Sequence, residues 1–280
     1  MPVPPDYLNK YLEFERERQS SIVLIITVSD ICYDVFSAFL ESLLLQNNVN
    51  ISNLIFVISD SEKTDGYRRY LNRYFCNKHS LVILDGEVTY VDRVEYAMSE
   101  LKSQTNDYLL FVNQPIVMHD PRTLQTLINL LDIPKVVTTS AALVVNKNFK
   151  PNTEVSAQFL GFFSMKDSSQ TESKLLLKNQ HIPLPKLTLP VSSNGDAFFM
   201  IKFSEWKKSR GFEFVKYKDE RAVIEYSVQL LENKLMHLLT QKVTVELHPN
   251  YCNYDAKNLC WDLSLDETKL KNTIQIEVLS

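Results

Sequence analysis

Four short apolar runs punctuate the first 130 residues, each followed by apolar positions at helical spacing. Residues 22–28 read IVLIITV, 54–58 LIFVI, 81–84 LVIL and 108–112 YLLFV. Each run is long enough for one buried strand, too short for a buried helix, and most are rich in β-branched residues. Continuous rather than alternating hydrophobicity predicts strands covered on both faces. Between the runs, Val35, Phe36, Phe39, Leu40, Leu43 and Leu44 recur at i, i+3 and i+4, predicting an amphipathic helix from near Asp34. Helices are also predicted over 67–75 and over 91–102, the latter with Val94, Met98 and Leu101 on one face. After the fourth run, Asn113-Gln114-Pro115 is turn chemistry. Asp120 is then predicted as an N-cap and Pro121 as the first helical residue of PRTLQTLINLL. Four strand–helix repeats imply a parallel sheet with helices on both faces.

The pattern changes in the second half. Residues 135–139 and 141–145 read as two strands, and 146–190 as loops and short strands rather than a separate domain. A strand is predicted over 195–203, a helical turn over 204–209, and a helix over 219–234 with Val223, Ile224, Ser227, Val228 and Leu231 on its buried side. The alternation of 242–247 predicts another strand, followed by an aromatic, Asn-rich loop over 248–262 and a possible final strand over 274–279. At the other end, Tyr7, Leu8, Tyr11 and Leu12 predict a short helix packing on the domain. The expected organisation is an N-terminal helical extension over 1–20, one domain over 21–262 and a tail over 263–280.

Composition narrows the function classes. At 45% hydrophobic residues, 280 residues supply an ample core. The net charge of −4 argues against a protein that holds nucleic acid by its phosphates. Only five glycines are present, with no GxGxxG and no GxxxxGK[ST], so a glycine-rich phosphate loop is not expected. None of Cys32, Cys76, Cys252 and Cys260 has CxxC spacing; Cys252 and Cys260 are read either as packed thiols or as a local bridge. The charged N-terminus lacks an apolar signal region, and no run approaches membrane-spanning length, so a cytoplasmic location is the default expectation, or a secretory lumen if the chain is a fragment.

Chemistry in α/β folds gathers at the carboxyl ends of strands. Asp60 and Asp65 follow the second run, Asn113 and Gln114 the fourth, and Asp219 and Glu220 open the late helix. Asp60 reads equally as a ligand contact or an Asx-turn, and Asp219-Glu220 as acid–base groups or as acids favoured at a helix start. His119, His248, Trp206, Trp261 and the Arg68, Arg69, Arg73 set have readings as metal ligands, stacking platforms or phosphate partners. For each of these, a plain packing or surface role is the more economical reading.

Several stretches resemble one family in order and spacing, from about residue 20 to residue 262. Ile55 to Ser61 with Thr64-Asp65 resembles the strand-end VDDxSxD of nucleotide-sugar glycosyltransferases. DYLLFVNQPIVMHDPRTLQTLI resembles the strand–DxD–NPxTLxxLI segment of the procollagen galactosyltransferases and of the glycosyltransferase-like domains of lysyl hydroxylases. Ser156 to Gly161, Leu189-Pro190 with Ala197 to Ile201, and Tyr217 to Ile224 are similar to its SNFWCG, VPxxxxxFLI and TFDDIIVFA. The resemblance implies a GT-A-like α/β fold with a mostly parallel central sheet, and transfer of a hexose from a nucleotide sugar to a hydroxyl of a protein or glycan. It implies nucleotide contacts for Asp60, Asp65, Asn113 and Gln114, and acceptor-side roles for Asp219 and Glu220. The chain departs where the family's metal acids stand: Val112-Asn113-Gln114-Pro115 replaces DxD, and the Trp and Cys of FWCG are missing. Hard divalent cations prefer anionic oxygens, so Mn²⁺ is disfavoured and no metal ligand is assigned. The alternative is an inactive domain serving as a binding or assembly module.

Overall fold

The computed structural model describes residues 20–28, 31–58, 64–76, 78–84, 86, 88–101, 107–145, 156–159, 163–166, 173–176 and 188–247. Within them, the parallel half follows the predicted alternation. The strands are β1 (Ser20–Ile26), β2 (Val49–Ile58), β3 (His79–Ile83) and β4 (Tyr108–Val112). They are joined through α1 (Tyr33–Leu44), α2 (Thr64–Tyr74) and α3 (Tyr90–Ser99). β1 pairs in parallel with β2 and β4, and β2 with β3, so all four end at one edge of the sheet.

Successive residues of these strands enter opposite cores, because strand side chains alternate in direction. Ile22, Leu24 and Ile26 join Phe36 and Phe39 of α1 and Tyr67 and Leu71 of α2 on one face. Val23 and Ile25 join Val91 and Val94 of α3 on the other. Both sets are almost fully buried, which is why the runs lack a polar position.

The second half closes the sheet with mixed polarity. After β5 (Ile116–Val117) and α4 (Thr123–Leu131) come β6 (Val136–Val145), β7 (Ser156–Phe159), β8 (Phe163–Lys166), β9 (Ser173–Leu176) and β10 (Thr188–Val191). They are followed by β11 (Phe198–Lys202), α5 (Phe203–Ser209), α6 (Arg221–Glu232) and β12 (Met236–Leu247). The sheet order is β10-β12-β6-β11-β4-β1-β2-β3, with β5 on β12 and β7 on β6; β8 and β9 form a separate pair. β11 runs antiparallel between β4 and β6. Phe111 of β4 stacks on Phe199 of β11 at 4.7 Å and meets Trp206 of α5 at a tilt, 4.9 Å between ring centroids. Trp206 is therefore a core residue. Gly211, at φ +53°, lets the chain pass so close that a Cβ there would lie 2.6 Å from the indole.

Several local expectations are corrected. Residues 136–145 form one strand, not two, and β12 begins at Met236, with a register irregularity between Thr240 and Thr244. α4 begins at Thr123 rather than at Pro121. Asp120 does not cap it; its carboxylate accepts from the Arg122 backbone N–H at 2.9 Å and from the Arg122 guanidinium at 3.1 and 3.2 Å, so an Asx-type turn precedes the helix. The readings at residues 7–18, Asp60, His248, Cys252, Cys260, Trp261 and 274–279 lie outside the described residues.

Candidate functional site at the carboxyl edge of the sheet

The ends of β1, β2 and β4 share one edge, and β11 starts there because Phe198 pairs with Val112. α3 also starts at this edge. Its Thr89 N-cap accepts from the Asp92 N–H at 3.2 Å, and Asp92 accepts back from the Thr89 N–H at 3.4 Å, a capping box that fixes the first turn. The Val91 N–H donates to the Lys218 carbonyl at 3.0 Å, which ties the entry of α6 to the same place.

Asn113 sits where β4 ends and is 8% exposed. Its backbone N–H donates to the Ala197 carbonyl at 3.0 Å. Its side-chain oxygen accepts from the Thr27 hydroxyl at 2.8 Å, and its amide nitrogen donates to Asp196 Oδ2 at 2.8 Å. The amide is thus spanned between a hydroxyl just past β1 and a buried carboxylate just before β11. A second carboxylate at position 113 would face Asp196 directly, whereas the amide supplies the N–H that an acceptor-only group requires. Gln114, beside it, is half-buried.

Arg93 extends the set. Its guanidinium donates to the Thr27 carbonyl at 3.0 Å and lies 3.9 Å from Glu220. Glu220 is the N-cap residue of α6 and makes no side-chain cap. Asp219 is held by Arg221, whose Nε donates to both carboxylate oxygens at 2.9 Å. That hydrogen bonding holds the Asp219 carboxyl below the usual range despite partial burial, so it stays ionised and is a weak base. The Arg221 guanidinium also lies over the Tyr217 ring, 4.5 Å from its centroid.

The structure brings Asn113, Asp196, Thr27, Arg93 and Glu220 into one connected set. Asp65 lies in the first turn of α2, 89% exposed, and pairs with Arg68 at 3.5 Å. His119 is an exposed residue bonded to Glu246 at 2.8 Å. Among the described residues, no three His, Cys, Asp or Glu side chains converge as a metal site. The donor chemistry at Asn113 does not fit a strand-end divalent cation either: its oxygen is taken by Thr27 and its nitrogen faces a carboxylate.

Sequence reasoning missed Asp196, Thr27 and Arg93. The signal for Asp196 was present, because SSNGD precedes an apolar strand at a place where a strand-end acid is expected. The whole loop 192–196 is buried.

A mostly parallel sheet, with β11 inserted antiparallel between β4 and β6 and further antiparallel strands at β5, β7 and β10, has the GT-A glycosyltransferase fold, and comparison with solved structures agrees. The chain is similar to GalNAc-T7, solved with UDP, GalNAc and Mn²⁺, with a TM-score of 0.60 and 11% identity over 81% of this chain and 43% of that one. It is also similar to the mannosyltransferase PcManGT from Pyrobaculum calidifontis, solved with GDP-Man and Mn²⁺, with a TM-score of 0.53 and 11% identity over 88% of this chain and 64% of that one. The chain therefore spans less than two thirds of either protein's length. No protein-family model and no curated protein matches the sequence.

Proposed function

We propose that this chain is a glycosyltransferase-like protein that binds a nucleotide sugar at the carboxyl edge of its sheet and passes a hexose to a hydroxyl of a protein or glycan, without a metal held at the end of β4. The observation that carries this reading is the side chain of Asn113, bonded to Thr27 and Asp196 at the strand end where chemistry is expected in such folds. Gln114 is the neighbouring amide available to the nucleotide diphosphate. Asp65, and Asp60 outside the described residues, are assigned to the nucleotide by their place after β2. Glu220 is the better acceptor-side carboxylate, because Asp219 is committed to Arg221. In an inverting transfer such a carboxylate takes the acceptor's proton. The acceptor oxygen then bonds to the anomeric carbon, and the nucleoside diphosphate leaves with the electron pair of the broken C–O bond.

A second reading, a binding or assembly module without transfer, draws support from the ion pairs that engage Asp219 and Glu220. Calorimetry of the full chain with UDP- and GDP-hexoses, with and without Mn²⁺, followed by a transfer assay, separates the two. The transferase reading expects a nucleotide sugar to bind with an affinity indifferent to Mn²⁺ and to be consumed. Binding without turnover leaves the module reading, and no binding to any nucleotide sugar defeats the first proposal.

A further inference from the structure

The edge of the sheet opposite the candidate site carries an open groove. α1 ends there at Leu44, α2 ends at Tyr74, and β2 begins at Val49. The groove between them has a volume of about 330 Å³, and its lining includes Leu44, Val49, Ile51, Phe75, Cys76 and Lys78. Leu44 is 54% exposed, and Leu45, the C-cap residue of α1, 65%. Two adjacent exposed leucines beside a groove form a patch, unlike a leucine scattered singly on a surface. Two polar groups of the wall are already engaged. Gln46 donates to the Ser42 and Asp120 carbonyls at 3.2 and 3.1 Å, and the Tyr74 hydroxyl bonds that of Ser37 at 3.0 Å. Apolar side chains and the Lys78 cation therefore set what the groove accepts. An amphipathic peptide carrying an acid matches both.

The chain itself holds such a peptide, attached close by. Tyr7, Leu8, Tyr11 and Leu12 share one face at helical spacing, and Glu15, four residues after Tyr11, continues that face with a carboxylate. A helix this short is marginal in water unless its apolar face is covered. The register of the sheet says where the segment is tethered: Ser20, the first residue of β1, pairs with Val49, which lines the groove. Paired strands lie about 4.8 Å apart, and the stretch from Leu12 to Ser20 can span up to about 26 Å. Tethering at this range gives an effective concentration on the order of millimolar, which favours the segment over any partner arriving from solution.

We propose that residues 7–15 dock in this groove, with the apolar face of Tyr7, Leu8, Tyr11 and Leu12 against Leu44 and Leu45 and with Glu15 toward Lys78. The docking is independent of the nucleotide-sugar reading. It leaves the carboxyl edge open, because the ten residues of β2 separate the two edges.

Cys76 reports on the contact. It is an exposed cysteine in the groove, whereas Cys32, also exposed, precedes α1 at the carboxyl edge and serves as the reference. The full chain is treated with N-ethylmaleimide, and the labelling of each cysteine is followed by peptide mass spectrometry. Leu8→Asp combined with Leu12→Asp is expected to raise the Cys76 rate relative to Cys32 by about tenfold, the size of one lost leucine contact. Leu44→Asp, at an exposed position, should do the same from the groove side. A free peptide of residues 1–19 should restore protection to the Leu8/Leu12 variant and not to Leu44→Asp. Equal Cys76 rates in wild type and both variants overturn the docking. Protection that grows with protein concentration overturns it as well, because a second copy then covers the groove. The two variants alter opposite sides of one contact, so either decides the matter if the other fails to fold.

Discussion

Loop 192–196 ends in two polar clusters of opposite character. It leaves β10 at Val191, beside His237, and delivers the chain to Phe198, beside Val112. At its first end, Asn194 donates to the Thr138 hydroxyl at 2.9 Å, Thr138 bonds His237 Nδ1 at 2.6 Å, and His237 Nε2 meets the Ser227 carbonyl at 2.9 Å. This cluster is uncharged, and His237 is wholly buried. At the second end, Asp196 anchors an assembly of carboxylates and a guanidinium in which the Tyr90 hydroxyl and Arg93 Nε lack partners among the described residues. The neutral network fixes the loop through its hydrogen bonds, although Asn194 Oδ1 also lacks a partner among the described residues, whereas the second cluster gathers carboxylates and a guanidinium. The difference lies in charge and in access to solvent: His237 and Asn194 are sealed in, whereas Glu220 is 36% exposed.

Breaking the neutral end should have the largest effect. His237→Ala removes a buried ring and takes one hydrogen-bond partner each from the Thr138 hydroxyl and the Ser227 carbonyl, so urea denaturation should show a loss of about 3–4 kcal/mol. The same residue makes the fold acid-sensitive. Burial lowers the His237 pKa from 6.5 to about 4 in the folded chain, so between these values the unfolded chain binds the proton more readily. Its contribution is therefore complete above pH 6.5 and falls away toward pH 4, by up to about 3 kcal/mol. His237→Ala should flatten that part of the stability–pH curve; an unchanged slope would show that the imidazole is not sealed in.

At the charged end, Asn113→Asp should cost about 2 kcal/mol at pH 7, since it sets a carboxylate against Asp196, and less toward pH 5, where the pair can share a proton. Thermal melts across pH read this directly, and a variant as stable as wild type at neutral pH would contradict the contact. Mn²⁺ added to the variant reports whether a paired acid recovers a cation site. The smallest effect belongs to Asp219→Asn. Its carboxylate is 42% exposed and its partner Arg221 lies two residues away, so stability should move by about 0.5 kcal/mol or less. A loss above about 1 kcal/mol would place Asp219 among the structural contacts.

What could be read from the sequence follows from locality. The runs at 22–28, 54–58 and 108–112 and the helical spacing of Val35 to Leu43 encode the parallel half without reference to distant residues, and the structure repeats them closely. The motif resemblance carried the GT-A fold, which the structural comparison supports. The start of α4 was misplaced because Asp120 has two uses, cap and Asx-turn, and Arg122 decides between them. Asp196 went unnoticed because its partner Asn113 is 83 residues away. Arg93 fell within a predicted helix over 91–102 with nothing to single it out, because Lys218 and Glu220, which meet this helix, lie more than 120 residues away.

The position of β11 has a consequence for synthesis. The strand that fills the middle of the sheet is among the last to leave the ribosome, after both of its neighbours. Until residue 202 has emerged, β4 and β6 each present an open backbone edge, that of β4 lined by large apolar side chains, a template for pairing with another nascent chain. The gap is closed by long-range pairing, which is slow. The growing chain therefore carries the open edge of β4 through the whole interval that separates Val145 from Phe198.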